Sequence, residues 1–235
     1  GDTNPNAPVS LMILMEGADG IRTPEEAGFW WNKGVRVIGP AWKATRYCGG
    51  TGQPGPLTDL GHLLLKEMAK MGLILDLSHM DWPAALESLD EYEGTIIASH
   101  ANLARLTEGG MRNRFLTDEI VQKLTRRGGV IGVIPFNNFL LPGWNKMEPQ
   151  PHIGLSMVAD HIDAVCQLSG SSDHVAFGTD FDGGFGMEST PAEIDTIVDL
   201  HKLIPILEKR GYKEEDIAKI FGENWANILR RSLPA

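Results

Sequence analysis

Leu73-Ile74-Leu75-Asp76-Leu77-Ser78-His79 and Thr95-Ile96-Ile97-Ala98-Ser99-His100 are two apolar runs that both finish in Ser-His. Each has the length and composition of a strand buried on both faces of a parallel sheet. Asp81 to Glu91 lies between them, with Pro83 near its start and Gly94 past its end, which is the punctuation of a helix. Strand, helix, strand makes a βαβ unit, in which the carboxyl ends of both parallel strands face the same side. Both imidazoles therefore reach one mouth, and two convergent histidines point to a metal.

Two more apolar runs end alike. Ser10 to Met15 stops at Glu16-Gly17, and Val175 to Thr179 stops at Asp180, within Gly178-Thr179-Asp180-Phe181-Asp182-Gly183. Four strands thus deliver a histidine or a carboxylate from their last residues, where (β/α) barrels carry their chemistry. A single strand-end histidine is more often a hydrogen-bonded structural residue than a ligand. Several in register reverse that balance. Val35 to Gly39 and Gly129 to Pro135 bring the strands to six, whereas a closed barrel needs eight. The expected architecture is α/β, a (β/α)8 TIM-type barrel lacking two of its βα units, in one domain over residues 1–235.

A length of 235 residues suits that single domain. The formal net charge of −10, without clustered Lys and Arg, argues against a nucleic-acid surface. Cys48 and Cys166 stand far apart and offer neither a disulfide framework nor a thiolate metal cluster. No apolar run reaches the roughly 18 residues of a membrane span, and Gly1 to Pro8 lacks the regions of a signal peptide. A chain that natively starts at Gly1 is expected to be cytoplasmic; one with an upstream segment could be secreted or periplasmic.

Along the chain, Thr23 to Trp31 reads as a helix opened by a Thr-x-x-Glu capping box with Pro24 at its first position. Pro40 to Pro56, rich in Gly and Pro, reads as a loop long enough to cover a site, with Trp42, Arg46 and Tyr47 available to line a pocket or to pack on the rim. Asp59 to Met71 is an amphipathic helix capped by Thr58, and Thr117 caps another running to about Arg127. The segment after His100 carries Arg105, Arg112 and Arg114. An arginine at a metal mouth suits a substrate carboxylate, because its planar fork binds two oxygens at once, although a single loop arginine is more commonly a surface residue. His161-Ile162-Asp163 looks like a metal-binding pair but falls in a helix, where i and i+2 diverge by about 200°, so it cannot chelate. Thr190-Pro191-Ala192-Glu193 reads as a second capping box, followed by helix to Leu233 with a break near Gly211.

Met15-Glu16-Gly17, Asp76-Leu77-Ser78-His79, Ala98-Ser99-His100, Arg112-Asn113, Asp160-His161-Ile162-Asp163, Asp180-Phe181-Asp182-Gly183 and Arg210-Gly211-Tyr212 occur in an order and spacing that resemble the membrane (renal) dipeptidase family of zinc peptidases. The resemblance implies a (β/α)8 barrel with two zinc ions at its mouth and a small dipeptide as substrate. It implies that Glu16 bridges both metals, that His79 and His100 hold the second zinc, and that Asp180 handles protons. It gives Arg112 the substrate carboxylate and places Asn113 and Trp42 with it among the substrate-binding residues. Trp42 stands near the place where some members have a histidine that supports the tetrahedral intermediate. The family's first zinc is held by a His-x-Asp pair far upstream of the residue matching Glu16, on βα units that this sequence lacks. One fully liganded zinc is therefore expected here, and the strand at Ser10 to Met15 becomes an edge prone to pairing in a homo-oligomer.

The resemblance thus implies a metallo-dipeptidase-type hydrolase that cleaves dipeptides or similar small amides, with the activity of this short chain alone in question. The alternative is a non-catalytic or single-metal barrel that serves as a binding or assembly module. A lactonase- or deaminase-type barrel shares the mouth but does not explain Arg112-Asn113 so soon after Ser99-His100.

Overall fold

The computed structural model describes residues 11–107, 109, 112–181 and 183–233. Ser10 and Asp182, both part of motifs above, lie outside the described residues. The strands are β1 (Ile13–Glu16), β2 (Val35–Gly39), β3 (Cys48–Gly50), β4 (Gln53–Leu57), β5 (Ile74–Asp76), β6 (Ile96–Ile97), β7 (Ile131–Val133) and β8 (Val175–Phe177). The α-helices are α1 (Ala27–Asn32), α2 (Asp59–Lys70), α3 (Trp82–Glu91), α4 (Asp118–Arg126), α5 (Asn137–Leu140), α6 (Leu155–Ser169), α7 (Ile204–Lys209), α8 (Glu214–Ala218) and α9 (Asn224–Ser232).

All six strands expected from the apolar runs are present and parallel. One sheet has the order β1-β2-β5-β6, and β7 pairs with β8. A parallel bridge between Ala98 and Ile131 joins the two groups, so the strands stand side by side in chain order. Helices α1, α2, α3, α4 and α6 carry the successive crossovers. Among the described residues β1 and β8 are the outer strands and no pairing links them, so the architecture is an α/β array of βα units rather than a demonstrated closed barrel.

Both faces of this array are covered, which is why its strands read as continuous apolar runs. Successive strand residues point to opposite faces. Ile38, Leu75 and Ile96 join the core shared with Leu64 and Met68 of α2, Leu89 of α3, Leu124 of α4 and Ile162 of α6. Their neighbours Val37, Ile74 and Ile97 face the other way, with Ala176, onto Ile228 of α9. No helix among the described residues is long and apolar enough to cross a membrane.

Local signals held at two helices and were overridden at two others. Thr58 Oγ1 accepts from Gly61 N at 3.1 Å and Thr117 Oγ1 from Ile120 N at 3.3 Å, as N-caps should. Thr23 makes no cap: Arg22 takes the Glu26 carboxylate through its backbone N and its Nε, both at 2.8 Å, and the first turn Pro24–Glu26 is a 3-10 turn. The box at Thr190 does not form either. Glu193 instead accepts from Leu155 N at 3.1 Å, so it caps α6, whose own N-cap Gly154 has no side chain to offer. Helix resumes only at Ile197. The expected loop Pro40 to Pro56 contains the antiparallel hairpin β3–β4, bound to the mouth by a bridge between Gly50 and Met80.

Candidate metal centre

Glu16 leaves the end of β1, His79 follows β5 and His100 follows β6. Parallel direction brings their tips together: Glu16 Oε1 lies 3.0 Å from Nε2 of His79 and 3.0 Å from Nε2 of His100. One ligand atom from each of the three lies within 4.8 Å of the others. The approach of the strands here depends on glycine. A Cβ on Gly132 or on Gly178 would sit 2.0 Å from the Ser99 carbonyl oxygen, so only glycine lets the β7 and β8 ends close on the turn that aims His100. His79 and Asp180 are the two non-glycine residues with positive φ among the described residues, at 70° and 53°. Both sit at this mouth, where local strain commonly serves function.

The protonation chemistry suits a cation. The imidazoles of His100 and then His79, each 3.0 Å from Glu16 Oε1, hold the Glu16 carboxyl well below the usual carboxylate range, so it is ionised. Burial pushes the His79 imidazole down to about 4, so near neutral pH it is an uncharged ring. Behind the rings, Thr51 Oγ1 is 3.0 Å from His79 Nδ1 and Ser99 Oγ is 2.7 Å from His100 Nδ1. With each Nδ1 facing a hydroxyl, each Nε2 turns to Glu16. His100 Nε2 is buried and has no aligned hydrogen-bond partner. An orphaned imidazole nitrogen beside a carboxylate and a second imidazole is a donor set that fits a divalent metal.

A cavity of about 220 Å³ opens beside this triad. Glu16, Trp42, His79, Arg114 and Asp180 line it, together with an apolar group of Phe136, Phe139 and Phe185. The group is continuous: the Phe139 and Phe136 centroids are 4.9 Å apart, and Phe185 stacks on Phe136 at 4.3 Å. Trp42 is half exposed, with its ring centroid 6.0 Å from that of His79. Burial raises the Asp180 carboxyl above its ordinary value, against the opposing charge of the Arg114 guanidinium.

Of the loop arginines, Arg112 is exposed and does not line the cavity, whereas Arg114 is 3 % exposed and does. Both lie on the 3-10 turn Arg112–Arg114, where residues two apart point about 240° away from each other. Arg114 Nη2 donates to the His100 carbonyl at 2.9 Å, and its guanidinium lies 5.0 Å from the Phe139 centroid. Its Nε and Nη1 are buried without a partner. Burial pushes this guanidinium down to about 10, which leaves it charged at neutral pH. The available signal was its neighbours, since Arg114 leads directly into the buried pair Phe115-Leu116.

Asn113 ties the turn to the hairpin: Nδ2 donates to Gly50 O at 2.9 Å and to Asp81 Oδ1 at 2.8 Å, and Oδ1 accepts from Gly52 N. Thr51, on that hairpin, is the support the sequence did not disclose, because nothing local links it to His79.

The family model of membrane dipeptidases (peptidase family M19) matches residues 2–232. An uncharacterized protein in the pqqA 5′ region of Klebsiella pneumoniae is 31 % identical over 232 residues, covering 94 % of this chain and 82 % of that protein. The dipeptidase ataJ of Aspergillus terreus is 32 % identical over 80 % of this chain, which spans only 44 % of that longer enzyme. Among solved structures, a metallo peptidase from Rhodobacter sphaeroides, liganded with a phosphinate mimic of the dipeptide L-Ala-D-Ala, superposes with a TM-score of 0.82 at 26 % identity, covering 94 % of this chain and 63 % of that one.

Proposed function

This chain belongs to the membrane dipeptidase family, and from that premise we propose that it is the metal-binding body of a zinc-dependent dipeptidase-type hydrolase acting on dipeptides or similar small amides. The observation that carries the reading is the convergence of Glu16, His79 and His100 within 4.8 Å, beside a small cavity that Glu16 and His79 line. These three residues would hold zinc, and the metal when bound supplies a Lewis acid and a water acidified enough to react near neutral pH.

The remaining roles follow from the chain's own groups. Arg114 lines the cavity with a full charge and with donors that no protein group satisfies, so we assign it the substrate carboxylate. This assigns to Arg114 the role that the motif suggested for Arg112, while Asn113 supports the turn that presents it. Asp180 lines the same cavity, and burial raises its carboxyl above the ordinary value, the direction that suits a group passing a proton to the leaving amine. Trp42 and the three phenylalanines exclude water from the space between.

Zinc content of the purified chain and hydrolysis of a panel of dipeptides test the reading together. About one zinc per chain and amide cleavage that is lost in Glu16→Ala and His100→Ala are the expected results. Cleavage undiminished by both substitutions, or no zinc uptake by a folded chain, overturns it.

A further inference from the structure

The two imidazoles of the centre are backed by different chemistry. Thr51, behind His79, is a neutral hydroxyl whose other contact is the His79 carbonyl at 3.5 Å. Behind His100 the hydrogen bonds continue inward. Ser99 Oγ donates to Asp76 Oδ2 at 2.5 Å and lies 2.7 Å from His100 Nδ1.

Asp76 is the polar residue within the first of the two apolar runs, and it is 1 % exposed. Its Oδ1 accepts from the backbone N of Ser78 at 3.0 Å and of Ser99 at 2.8 Å, so the carboxylate clamps the end of β5 to the end of β6. Oδ2 is left for the Ser99 hydroxyl. A carboxylate is held inside a core only when its oxygens are satisfied and its charge is offset. Here amide and hydroxyl donors satisfy the oxygens. The buried Arg114 guanidinium lies close enough to interact with this charge, and the one hydroxyl contact of the carboxylate leads on through Ser99 to His100.

We infer that Asp76 is a positioning residue of the metal centre, acting through the Ser99 hydroxyl to hold His100 with Nδ1 as donor and Nε2 as the free ligand atom. The proton order is forced. Ser99 gives its single hydroxyl proton to Asp76, so towards His100 it can only accept, and Nδ1 must carry the proton. Nε2 is then the lone-pair nitrogen, and a negative charge one hydroxyl away stands behind it. Such outer partners orient a metal-bound histidine and strengthen its bond to the metal. The inference rests on the zinc reading above and extends it from the three ligands to the residues that aim one of them.

The experiment measures zinc affinity by chelator competition, together with the absorption spectrum of the cobalt-substituted protein, for the parent, Glu16→Ala, Ser99→Ala, Ser99→Thr, Asp76→Asn and the Ser99→Ala/Asp76→Asn pair. Asp76→Asn and Ser99→Ala are each expected to weaken zinc binding by roughly 10–100-fold and to shift the cobalt spectrum. The double variant is expected to lose no more than the weaker-binding single variant, since both remove the same link. Ser99→Thr, which keeps the hydroxyl, is expected to restore affinity. Ser99→Ala leaves the backbone contacts of Asp76 in place, so it remains decisive if Asp76→Asn fails to fold. Parent-like affinity in Ser99→Ala, or losses that multiply in the double variant, overturns the relay while zinc binding itself stands. A folded parent that binds no zinc overturns the metal reading and the relay with it.

Discussion

Two of the places where histidine and carboxylate come together, in space at the mouth and in sequence on α6, have opposite fates. At the mouth, Glu16, His79 and His100 come from three strands and converge within 4.8 Å. On α6, His161 and Asp163 are two residues apart and point away from each other. His161 is buried and accepts from Leu103 N at 3.2 Å. Asp163 is bound by the Arg210 guanidinium and accepts from Tyr212 OH at 2.7 Å, while Arg210 also reaches Asp160 at 2.7 Å. The motif at residues 160–163 and the Arg210-Gly211-Tyr212 motif are thus partners in one clamp between α6 and the end of α7. A larger depression of about 600 Å³ beside Asp163 and Arg210 offers no comparable site, because those charges already meet each other. Donor type is shared by the two places. Direction separates them: parallel strand ends share a target, and a helix turns successive donors apart.

The largest effect that probes this contrast is on metal content. Glu16→Ala or His100→Ala is expected to take zinc from about one per chain to near zero, while His161→Gln leaves it at the parental level by elemental analysis. Metal loss in His161→Gln would break the comparison.

Next in size is the effect of the two arginines within the mouth. Arg114→Met is expected to lower kcat/KM for a dipeptide by about 10²–10³-fold, as loss of a buried charged partner costs roughly 2–5 kcal/mol. Arg112→Ala is expected to change it less than about twofold. Steady-state kinetics on the two variants reads this directly, and the reverse ranking would return the carboxylate to Arg112.

The helix histidine has its own signature in stability. Burial pushes His161 down to about 4, below the ordinary histidine value of 6.5. Above pH 6.5 both folded and unfolded chains carry it neutral, and its stabilising contribution is complete. As pH falls from 6.5 towards 4 the unfolded state takes up a proton that the folded state refuses, so stability declines. At pH 5 the loss is on the order of 2 kcal/mol. Urea unfolding of parent and His161→Gln at pH 7.5 and pH 5 isolates this term, since Gln can accept from Leu103 N but does not titrate. Parallel pH dependence in both proteins would remove His161 as the cause.

The smallest effect expected concerns the neutral support of His79. Thr51→Val removes one hydrogen bond worth about 1 kcal/mol, roughly fivefold in zinc affinity. Chelator competition checks it, and a loss as large as that of Ser99→Ala would erase the asymmetry between the two imidazoles.

Much of this was legible along the chain. The six parallel strands, the crossover helices, the caps at Thr58 and Thr117, and the rejection of His161-Ile162-Asp163 as a chelating pair all rest on local periodicity, and all agree with the structure. The boxes at Thr23 and Thr190 failed because their carboxylates found other donors, Arg22 nearby for Glu26 and Leu155, 38 positions away, for Glu193. The hairpin inside Pro40 to Pro56 was illegible for a related reason: its prolines and glycines describe a loop equally well, and its place is set by contacts with Asp81 and Asn113.

The sequence by itself determined which βα units exist, their order, and that Glu16, His79, His100 and Asp180 stand at strand ends. Strand direction and side-chain alternation are properties of a few consecutive residues, so such information survives without tertiary context. Only the tertiary structure decided that Arg114 rather than Arg112 enters the cavity, that Thr51 backs His79 from 28 positions away, and that Asp76 reaches Ser99 across two strands. Each of these is a choice among chemically equivalent groups. It is settled by which of them the packed chain buries close to an unsatisfied partner, a quantity no local stretch of sequence contains.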